Sequence, residues 1–333
     1  MAEPSSSPRV LVLGATSLVG SHFVVYGGSG PVLVAGRQDP RRRGFPVEGF
    51  TRVDLGDEEA VRKLVRTTEA TAVVNFVART DVDGCESERP RRGDRPAHPD
   101  RGSAWVLNSE LPRWLAEESA SRDLFLLHLS TDFVFDGKAG PYSEEEPPSP
   151  LGPGLGWYGY TKGVGESPVA GLARKGKAAI VRISYPYRSG FEGKLDLARG
   201  LLMRLASGTL LPMYTDQEIT PTWVPDVTDT LSALLVARRG GIYHVASPTV
   251  TTPYGFAEAL IEEIGVGKGD LTGARLQDVQ DPHRAPRPLH GGLRLHNVRR
   301  LGVRPTDYRE GIRKLVAELG ATPRRAGFPA SPP

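Results

Sequence analysis

The sequence predicts an α/β fold, built as a doubly wound parallel sheet with a smaller C-terminal lobe. Three observations lead to this prediction. Short apolar segments alternate with helical segments along the chain, and no internal repeat interrupts them. The first apolar segment, 10–13, runs directly into a glycine-containing turn and a helix. The chain of 333 residues, 39% hydrophobic and 24% charged, provides ample material for a globular core.

The predicted strands are short apolar runs bounded by polar or turn-forming residues, which is typical of strands buried on both faces. They are 10–13, 31–35, 50–53, 71–77, 124–129, 178–183, 210–214 and 241–246, the last strand of the chain. Helices are predicted after the turn at 14–20 and at 58–67, 108–119, 197–206, 254–264 and 308–319. Asp57 is the predicted N-cap of the helix at 58–67.

Composition and charge argue against several classes of function. The net charge is only +3, and no stripe of basic and aromatic residues points to a nucleic-acid partner. The single cysteine, Cys85, excludes an intrachain disulfide and is typical of a reducing compartment. The segment 10–13 is too short for a signal sequence or a membrane span, so the prediction is a cytoplasmic protein without a membrane partner. No cluster of His, Cys or carboxylate residues predicts a metal site.

The turn at 14–20 predicts a dinucleotide site. Glycine allows the backbone to approach a pyrophosphate, and the N-terminus of the following helix offers free N–H groups. The residues expected at the cofactor are Gly14, Thr16, Ser17, Leu18 and Gly20. The alternative is a relic of such a motif that no longer binds a cofactor.

The end of the second strand indicates which dinucleotide is bound. NAD enzymes usually place an acid there, whereas Arg37 matches the 2′-phosphate of NADP. We therefore predict NADPH, with NADH as the alternative. The run Arg41, Arg42 and Arg43 either adds to this positive charge or forms a solvated basic loop. Residues 1–182 are the predicted NADP-binding domain, 183–320 the substrate-binding lobe with the chain recrossing to the first domain, and 321–333 a disordered tail.

The stretch 127–166 has the character of an active site. A buried strand ends at the small polar residues Ser130, Thr131 and Asp132, at the edge where parallel sheets bind ligands. A polar loop leads from there into a helix that carries Tyr158 and Lys162 on one face. An ammonium group near a phenol lowers the phenol's pKa, which would let Tyr158 act as a proton donor. The alternative is an ordinary surface helix.

Three blocks in this stretch carry a resemblance to a known family. STDFVFDG at 130–137, PYSEEEPPSP at 141–150 and YGYTKGVGE at 158–166 resemble the extended short-chain dehydrogenase/reductases, and most closely the dTDP-4-dehydrorhamnose reductase family. The resemblance implies a Rossmann-type fold and reduction of the 4-keto group of a nucleotide-linked 4-keto-6-deoxysugar by NADPH. It also allows a homodimer, and some members of that family use Mg²⁺ at an interface.

The resemblance assigns a role to each catalytic candidate. Thr131 would donate a hydrogen bond to the ketone oxygen and Tyr158 would protonate it. Lys162 would lower the pKa of Tyr158 and hold the nicotinamide ribose. Asn108 would hold a water that links the lysine to solvent.

Further binding residues follow from the same resemblance. NFVARTDVDGCE at 75–86 corresponds to a family segment that places Val77 and Ala78 beside the nicotinamide ribose, while Asp54 and Leu55 would contact the adenine edge. The expected substrate residues are Thr80, Asp132, Phe133, Tyr185 and Trp223. The sequence departs from the family pattern at Ser17, Arg79 and His290, which replace a glycine, a tyrosine and a serine.

An insertion also distinguishes this chain from the family pattern. The segment RPRRGDRPAHPD at 89–100 is rich in Arg and Pro, so neither a helix nor a strand is predicted. It is interpreted as a disordered surface insertion, with contact to a diphosphate as the alternative.

Two other functions are compatible with the motifs. A sugar-nucleotide epimerase of the same superfamily would share the fold and the Tyr158–Lys162 pair. A dehydratase would need an Asp-Glu pair after the threonine, whereas Phe133 follows Asp132 here. A non-catalytic regulatory subunit, similar to one that accompanies methionine adenosyltransferase, is the second alternative.

Overall fold

The computed structural model describes residues 8–28, 30–189, 195–267, 271–279 and 284–321. Apart from its first residue, the predicted C-terminal tail lies outside these ranges.

The described strands are close to the predicted ones. They are β1 (Val10–Leu13), β2 (Val32–Gly36), β3 (Gly49–Arg52), β4 (Ala72–Asn75), β5 (Phe125–Thr131), β6 (Ala178–Ile183), β7 (Met213–Tyr214), β8 (Gly241–Val245) and β9 (Gly273–Ala274). Strand β7 is shorter than predicted, and β9 follows β8, so the prediction that 241–246 is the last strand was wrong. Strand β9 has only two residues, too few for a periodic signal.

The described helices form both layers around the sheet and most of the C-terminal lobe. They are α1 (Leu18–Tyr26), α2 (Glu58–Thr67), α3 (Val82–Glu86), α4 (Leu111–Ser121), α5 (Trp157–Ala173), α6 (Leu197–Ala206), α7 (Val224–Ala237), α8 (Pro253–Ile264), α9 (Asn297–Arg300) and α10 (Tyr308–Ala321). Asp57 caps α2 as predicted, since its side chain accepts a hydrogen bond from the backbone N–H of Ala60. Helix α4 begins later than predicted because a π-helical turn, Trp105–Glu110, precedes it.

The main sheet confirms the predicted fold class. Seven parallel strands lie in the order β3-β2-β1-β4-β5-β6-β8. The chain moves outward from β1 to β3 and then returns to the other side of β1 to form β4. The strand order therefore reverses between β1 and β4, which opens a crevice at the carboxyl ends of the strands.

Alternating side chains of the strands fill two apolar layers. Val10 and Val12 face one layer, with Phe23 of α1 and Leu231 of α7, whereas Leu11 and Leu13 face the other, with helices α2, α4 and α5. This two-sided burial explains why the strands appear in the sequence as continuous apolar runs.

Helix α7 was missing from the sequence prediction although its signal is present. Val224, Val227, Leu231 and Leu234 are all buried and recur at helical spacing, and proline occupies the first turn, where it is tolerated. Helix α7 leads into β8, which pairs with β6, so the chain returns to the main sheet after the first part of the lobe.

Candidate active site

The turn after β1 requires glycine at two positions. Gly14 has a φ of +80°, and a Cβ there would lie 3.0 Å from the carbonyl carbon of Phe76 after β4. A Cβ on Gly20 would lie 2.3 Å from the carbonyl oxygen of Gly14. The first turn of α1 therefore packs directly against backbone at the point where the strand order reverses, with its N-terminus at the crevice.

Ser17 is the N-cap of α1. Its Oγ accepts a hydrogen bond from the backbone N–H of Gly20 at 3.1 Å. This satisfies one of the N–H groups that have no partner within a helix. The hydroxyl that replaces the family glycine thus has a local structural partner.

The arginines after β2 differ in their partners. Arg41 forms an ion pair with Asp39, whose carboxylate is 2.7 Å from its Nη2. The hydrogen bond from Arg41 lowers the pKa of the Asp39 carboxyl. Arg37 is exposed at the end of β2 and forms no ion pair with any residue that the structure describes. Of these two, Arg37 is the cation available to a ligand phosphate.

Asp54 and Leu55 follow β3, on the same side of β1 as Arg37. The Asp54 carboxylate accepts a hydrogen bond from the backbone N–H of Gly56 at 3.1 Å, while the Leu55 side chain packs into the core. Asp54 itself is exposed.

Asn108 joins the loop after β4 to helix α5. Its Oδ1 accepts a hydrogen bond from the backbone N–H of Arg79 at 2.8 Å, and its Nδ2 donates to the Arg79 carbonyl and to the Thr161 hydroxyl, each at 3.1 Å. This side chain therefore holds the loop that contains Val77 and Ala78. The predicted role of Asn108 in holding a water stays a prediction, and its side chain already has these protein partners.

The ends of β5 and β6 share a buried carboxyl group. The Thr131 hydroxyl donates to Asp132 Oδ1 and accepts from the backbone N–H of Phe133, both at 3.2 Å. Asp132 Oδ2 accepts from Ser184 Oγ at 2.6 Å. Burial raises the pKa of Asp132 to about 6, against the effect of hydrogen bonds from Ser184, Thr131 and the backbone of Gly292.

Tyr158 lies in the first turn of α5, next to this carboxyl group. The helix start is anchored by Glu86, whose carboxylate accepts from the backbone N–H of Trp157 at 2.6 Å. Burial raises the pKa of the Tyr158 phenol, while the nearby Thr131 hydroxyl acts in the opposite direction. The structure thus brings the predicted hydrogen-bond donor and the predicted proton donor close together.

Lys162 lies one turn further along α5, as predicted, but its amino group extends towards β5. Nζ donates to the Leu129 carbonyl at 2.7 Å and lies 3.3 Å from His128 Nε2. Burial lowers the pKa of Lys162 to about 8, with Glu166 acting against this shift. The expectation that Lys162 lowers the pKa of Tyr158 was wrong for this arrangement, because burial of the phenol dominates and raises it.

Aromatic rings form one wall beside Tyr158. The Phe133 ring centroid lies 5.8 Å from that of Tyr158 and 5.9 Å from that of Tyr185, in edge-to-face arrangements. Tyr185 has a φ of +42°, an uncommon backbone conformation for a residue with a side chain. Phe133 and Tyr185 are thus brought together as the substrate prediction requires.

The other two predicted substrate residues lie elsewhere. Trp223 is 3% exposed and packs against Tyr187 in the core of the C-terminal lobe, with ring centroids 5.3 Å apart. Thr80 is exposed on the loop that Asn108 holds, immediately before Asp81, the N-cap of α3. The large aromatic side chain that made Trp223 a candidate binding residue serves here in the packing of the lobe.

An open cavity of about 580 Å³ is lined mainly by the loop after β5 and by the segment 284–290. Arg287 and Tyr214 are close enough to Tyr185 to affect the pKa of its phenol. The cavity is lined by Asp136, Gly137, Lys138, Gly154, Leu276, Val279, Arg284, Ala285, Pro286, Arg287, Leu289 and His290. The sequence analysis did not name Arg284, Arg287 or His290 as candidate binding residues, although their grouping within 284–290 was an available signal.

The cations at this cavity are held in defined positions. Arg287 pairs with both carboxylate oxygens of Asp83 at 2.8 Å, and this pairing lowers the pKa of Asp83. Arg284 lies over the Tyr214 ring, 4.8 Å from its centroid. Lys138 is likewise paired, with Asp136 at 2.7 Å.

The Arg- and Pro-rich insertion contains neither helix nor strand, as predicted, but its interpretation as a disordered segment was wrong. Arg95 pairs with Glu110 at 3.2 Å, and Arg101, just after the insertion, pairs with Asp57 at 2.9 Å. The Tyr160 hydroxyl donates to Asp94 at 3.4 Å. These contacts hold the segment against the π-helical turn and α5.

Two further features are absent from the described ranges. None of the described helices combines the length and apolarity needed to cross a membrane. The same ranges contain no group of three or more His, Cys, Asp or Glu side chains arranged to hold a metal ion.

Comparisons with known proteins agree with this geometry. A model of the family described as the RmlD substrate binding domain matches residues 8–321. The chain is 33% identical over 250 residues to the probable low-salt glycan biosynthesis reductase Agl14 of Haloferax volcanii, covering 74% of this chain and 77% of that protein. It is 31% identical over 338 residues to a dTDP-4-dehydrorhamnose reductase of Streptomyces griseus, covering 99% of each.

A solved structure has the same fold. The dTDP-4-dehydrorhamnose reductase of Bacillus anthracis, determined in complex with NADP, superposes with a TM-score of 0.76 at 21% identity, covering 94% of this chain and 100% of that one. Since the family model spans residues 8–321, the chain belongs to the RmlD substrate binding domain family of extended short-chain dehydrogenase/reductases.

Proposed function

We propose that the protein reduces the 4-keto group of a nucleotide-linked 4-keto-6-deoxysugar with NADPH. The observation that carries this proposal is the proximity of the Thr131 and Tyr158 hydroxyls at the carboxyl edge of the sheet, with Lys162 one turn further along α5. The relative from Streptomyces griseus, a dTDP-4-dehydrorhamnose reductase, supports the proposal.

The residues present fit a dinucleotide. Gly14 and Gly20 let the turn pack closely against backbone where a Cβ would collide, which holds the N-terminus of α1 at the crevice, where it suits a pyrophosphate. Thr16, Ser17 and Leu18 belong to the same turn, and the unpaired Arg37 suits the 2′-phosphate of NADPH. Asp54 and Leu55 would hold the adenosine, and Val77 and Ala78 the nicotinamide ribose. When bound, NADPH supplies the hydride, and the protein supplies position and charge.

The residues beside Tyr158 suit the sugar and its diphosphate. Phe133 and Tyr185 offer aromatic surface to the methyl-bearing face of a 6-deoxysugar. The cavity offers the Arg284 guanidinium, and cations of this kind bind phosphate oxygens, whereas Lys138 and Arg287 are already paired with Asp136 and Asp83. The size of the cavity, about 580 Å³, lies within the range of sites that bind drug-sized ligands.

The protein's own groups account for the proton step. The phenol of Tyr158 retains its proton at neutral pH because burial raises its pKa, so it can protonate the oxygen formed from the ketone. The Thr131 hydroxyl, which donates to Asp132 in this structure, would turn to donate to the same oxygen. Lys162 would stabilise the phenolate that remains and replace its proton.

A turnover experiment distinguishes this proposal from its alternatives. Purified protein is mixed with NADPH and dTDP-4-keto-6-deoxysugars, and NADPH oxidation is followed together with NMR of the sugar product. We expect stoichiometric oxidation and a new hydroxyl at C4. Inversion of a sugar centre without net NADPH oxidation would favour the epimerase, and inactivity combined with co-purification of another enzyme would favour the regulatory subunit.

The cellular location, the partners and the assembly of the protein are also part of the proposal. A cytoplasmic location and the absence of a nucleic-acid or membrane partner are expected from the single buried cysteine and the low net charge. A homodimer is the expected assembly if the protein follows its family, and light scattering would measure it.

A further inference from the structure

A buried hydrogen-bond chain runs from β4 through β5 to the amino group of Lys162. The backbone N–H of Val77 donates to Asn75 Oδ1 at 3.0 Å. Asn75 Nδ2 lies 3.2 Å from His128 Nδ1, and His128 Nε2 lies 3.3 Å from Lys162 Nζ. Asn75 and His128 are fully buried, and Lys162 is 2% exposed. The pairing of Asn75 with His128 follows directly from the register of β4 and β5.

The backbone donor at one end determines the direction of every bond in this chain. A backbone N–H can only donate, so the Asn75 atom that faces Val77 must be the oxygen, and the atom that faces His128 must be the NH₂ group. His128 Nδ1 then accepts a hydrogen bond. A neutral imidazole with Nδ1 as the acceptor carries its proton on Nε2, which therefore donates towards Lys162.

Lys162 completes this chain only as an uncharged amine. An ammonium group has no lone pair, so it would place an N–H against the N–H of His128 Nε2. A neutral amine accepts from His128 and still donates to the Leu129 carbonyl at 2.7 Å. We infer that His128 is a positioning residue that, oriented by Asn75, favours the uncharged form of Lys162 in the free enzyme.

The surroundings of Lys162 agree with this assignment. His128 is neutral, since its complete burial lowers its pKa well below the usual value. Glu166, one turn further along α5, is paired with the buried Arg182 of β6 at 2.7 Å and is already neutralised. Tyr158, one turn earlier, carries its proton. With the phenol neutral and Glu166 paired, a buried ammonium at Lys162 is costly, and burial lowers the pKa of Lys162 to about 8.

The network has a consequence for catalysis, and this part rests on the proposed function. The ammonium form of Lys162 is the one that stabilises a phenolate and returns its proton. Formation of the ammonium requires His128 to move its proton to Nδ1, which would then face the NH₂ group of Asn75. Asn75 and His128 therefore limit the pH range in which Lys162 is charged, and reduction should fail above the pH at which the amine loses its proton.

The test reverses the direction of the chain with Asn75→Asp. A carboxylate can accept from both Val77 N–H and His128 Nδ1–H, which moves the histidine proton to Nδ1 and leaves the Nε2 lone pair for an ammonium. Heteronuclear NMR of isotope-labelled histidine identifies the tautomer, and His128→Gln assigns the signal. We expect the Nε2–H tautomer in the unmodified protein and the Nδ1–H tautomer in Asn75→Asp.

The second readout is the pH profile of kcat/KM. In Asn75→Asp we expect the alkaline inflection to move to higher pH, at an at least tenfold lower proton concentration. The reason is that the ammonium form of Lys162 now has His128 Nε2 as an acceptor. An Nδ1–H tautomer in the unmodified protein overturns the inference, as does an unchanged inflection in a folded Asn75→Asp variant. If the protein turns over no 4-keto sugar, the proposed function fails, and the tautomer of the unmodified protein alone decides the inference.

Discussion

Ser184 Oγ donates a hydrogen bond to Asp132 Oδ2 across 2.6 Å and thereby links the ends of β5 and β6. Asp132 is 3% exposed, and its other oxygen accepts from the Thr131 hydroxyl. The carboxyl group thus lies within the site, in contact with a residue proposed to bind the ketone oxygen. Its titration should be visible in the stability of the protein.

The first prediction concerns this titration. The folded pKa of Asp132, about 6, lies above the ordinary value of 3.8, so the folded state binds its proton more tightly than the unfolded state does. Wild-type stability should therefore fall as pH rises through about 6, by at most about 3 kcal/mol. Asp132→Asn removes this dependence. The free energy of unfolding of the variant, relative to that of the wild type, should therefore rise between about pH 4 and pH 7 in denaturant unfolding.

Asp123→Asn is the matched control. Asp123 is exposed, and its hydrogen bond with Lys177 lowers its pKa, so its contribution to stability should have the opposite sign and be lost at low pH. Parallel pH curves for the wild type and Asp132→Asn would show that the carboxyl group does not titrate in this range.

The second prediction concerns the proton donor. Tyr158→Phe removes one oxygen and preserves the ring that packs against Phe133, so the fold should be retained. A general acid contributes about a hundred- to ten-thousandfold to the rate, and we expect kcat to fall by at least about a hundredfold while the dinucleotide still binds. Steady-state kinetics and dinucleotide titration measure the two effects.

Tyr160→Phe is the control for the same helix. The Tyr160 hydroxyl contacts Asp94 on the insertion, away from Thr131, and its removal should leave kcat nearly unchanged. If turnover instead depended on Tyr160 and tolerated Tyr158→Phe, the assignment of the proton donor would be wrong.

The third prediction concerns coenzyme choice. Arg37→Ala should weaken NADPH binding by about ten- to a hundredfold, the size of a charge-assisted hydrogen bond, and should barely affect NADH. Arg41→Ala should change neither affinity much, because Arg41 is already paired with Asp39. Equal losses for both coenzymes on substitution of Arg37 would contradict the assignment. Fluorescence titration with each coenzyme provides the comparison.

The fourth prediction concerns the cap of α1. Ser17→Ala should lower the free energy of unfolding by about 0.5–2 kcal/mol because the Gly20 N–H loses its acceptor, whereas Ser17→Gly should cost only a few tenths. If Ser17 crowds the dinucleotide, Ser17→Gly should also tighten its binding. An alanine variant as stable as the wild type would mean that water replaces the cap fully. Denaturant unfolding and dinucleotide titration separate the two effects.

Local patterns in the sequence determined much of this protein. Continuous apolar runs indicated strands buried on both faces, Asp57 marked the start of α2, and Gly14 and Gly20 marked a turn that no side chain could occupy. The position of Tyr158 and Lys162 on one face of α5 followed from their spacing of four residues and from helical geometry alone. These features depend on the backbone and on residues close in the chain, so the sequence contains them directly.

The tertiary structure decided which of these groups meet and how they titrate. His128 reaches Asn75 and Lys162 only because β4 pairs with β5 and α5 packs on that sheet, and Ser184 reaches Asp132 only because β6 lies beside β5. The pKa of Tyr158 moved against the sequence expectation because burial, which depends on the complete fold, has the largest effect on it. Desolvation and contacts between distant segments have no periodic signal in a single sequence, and they appear only when the chain has folded.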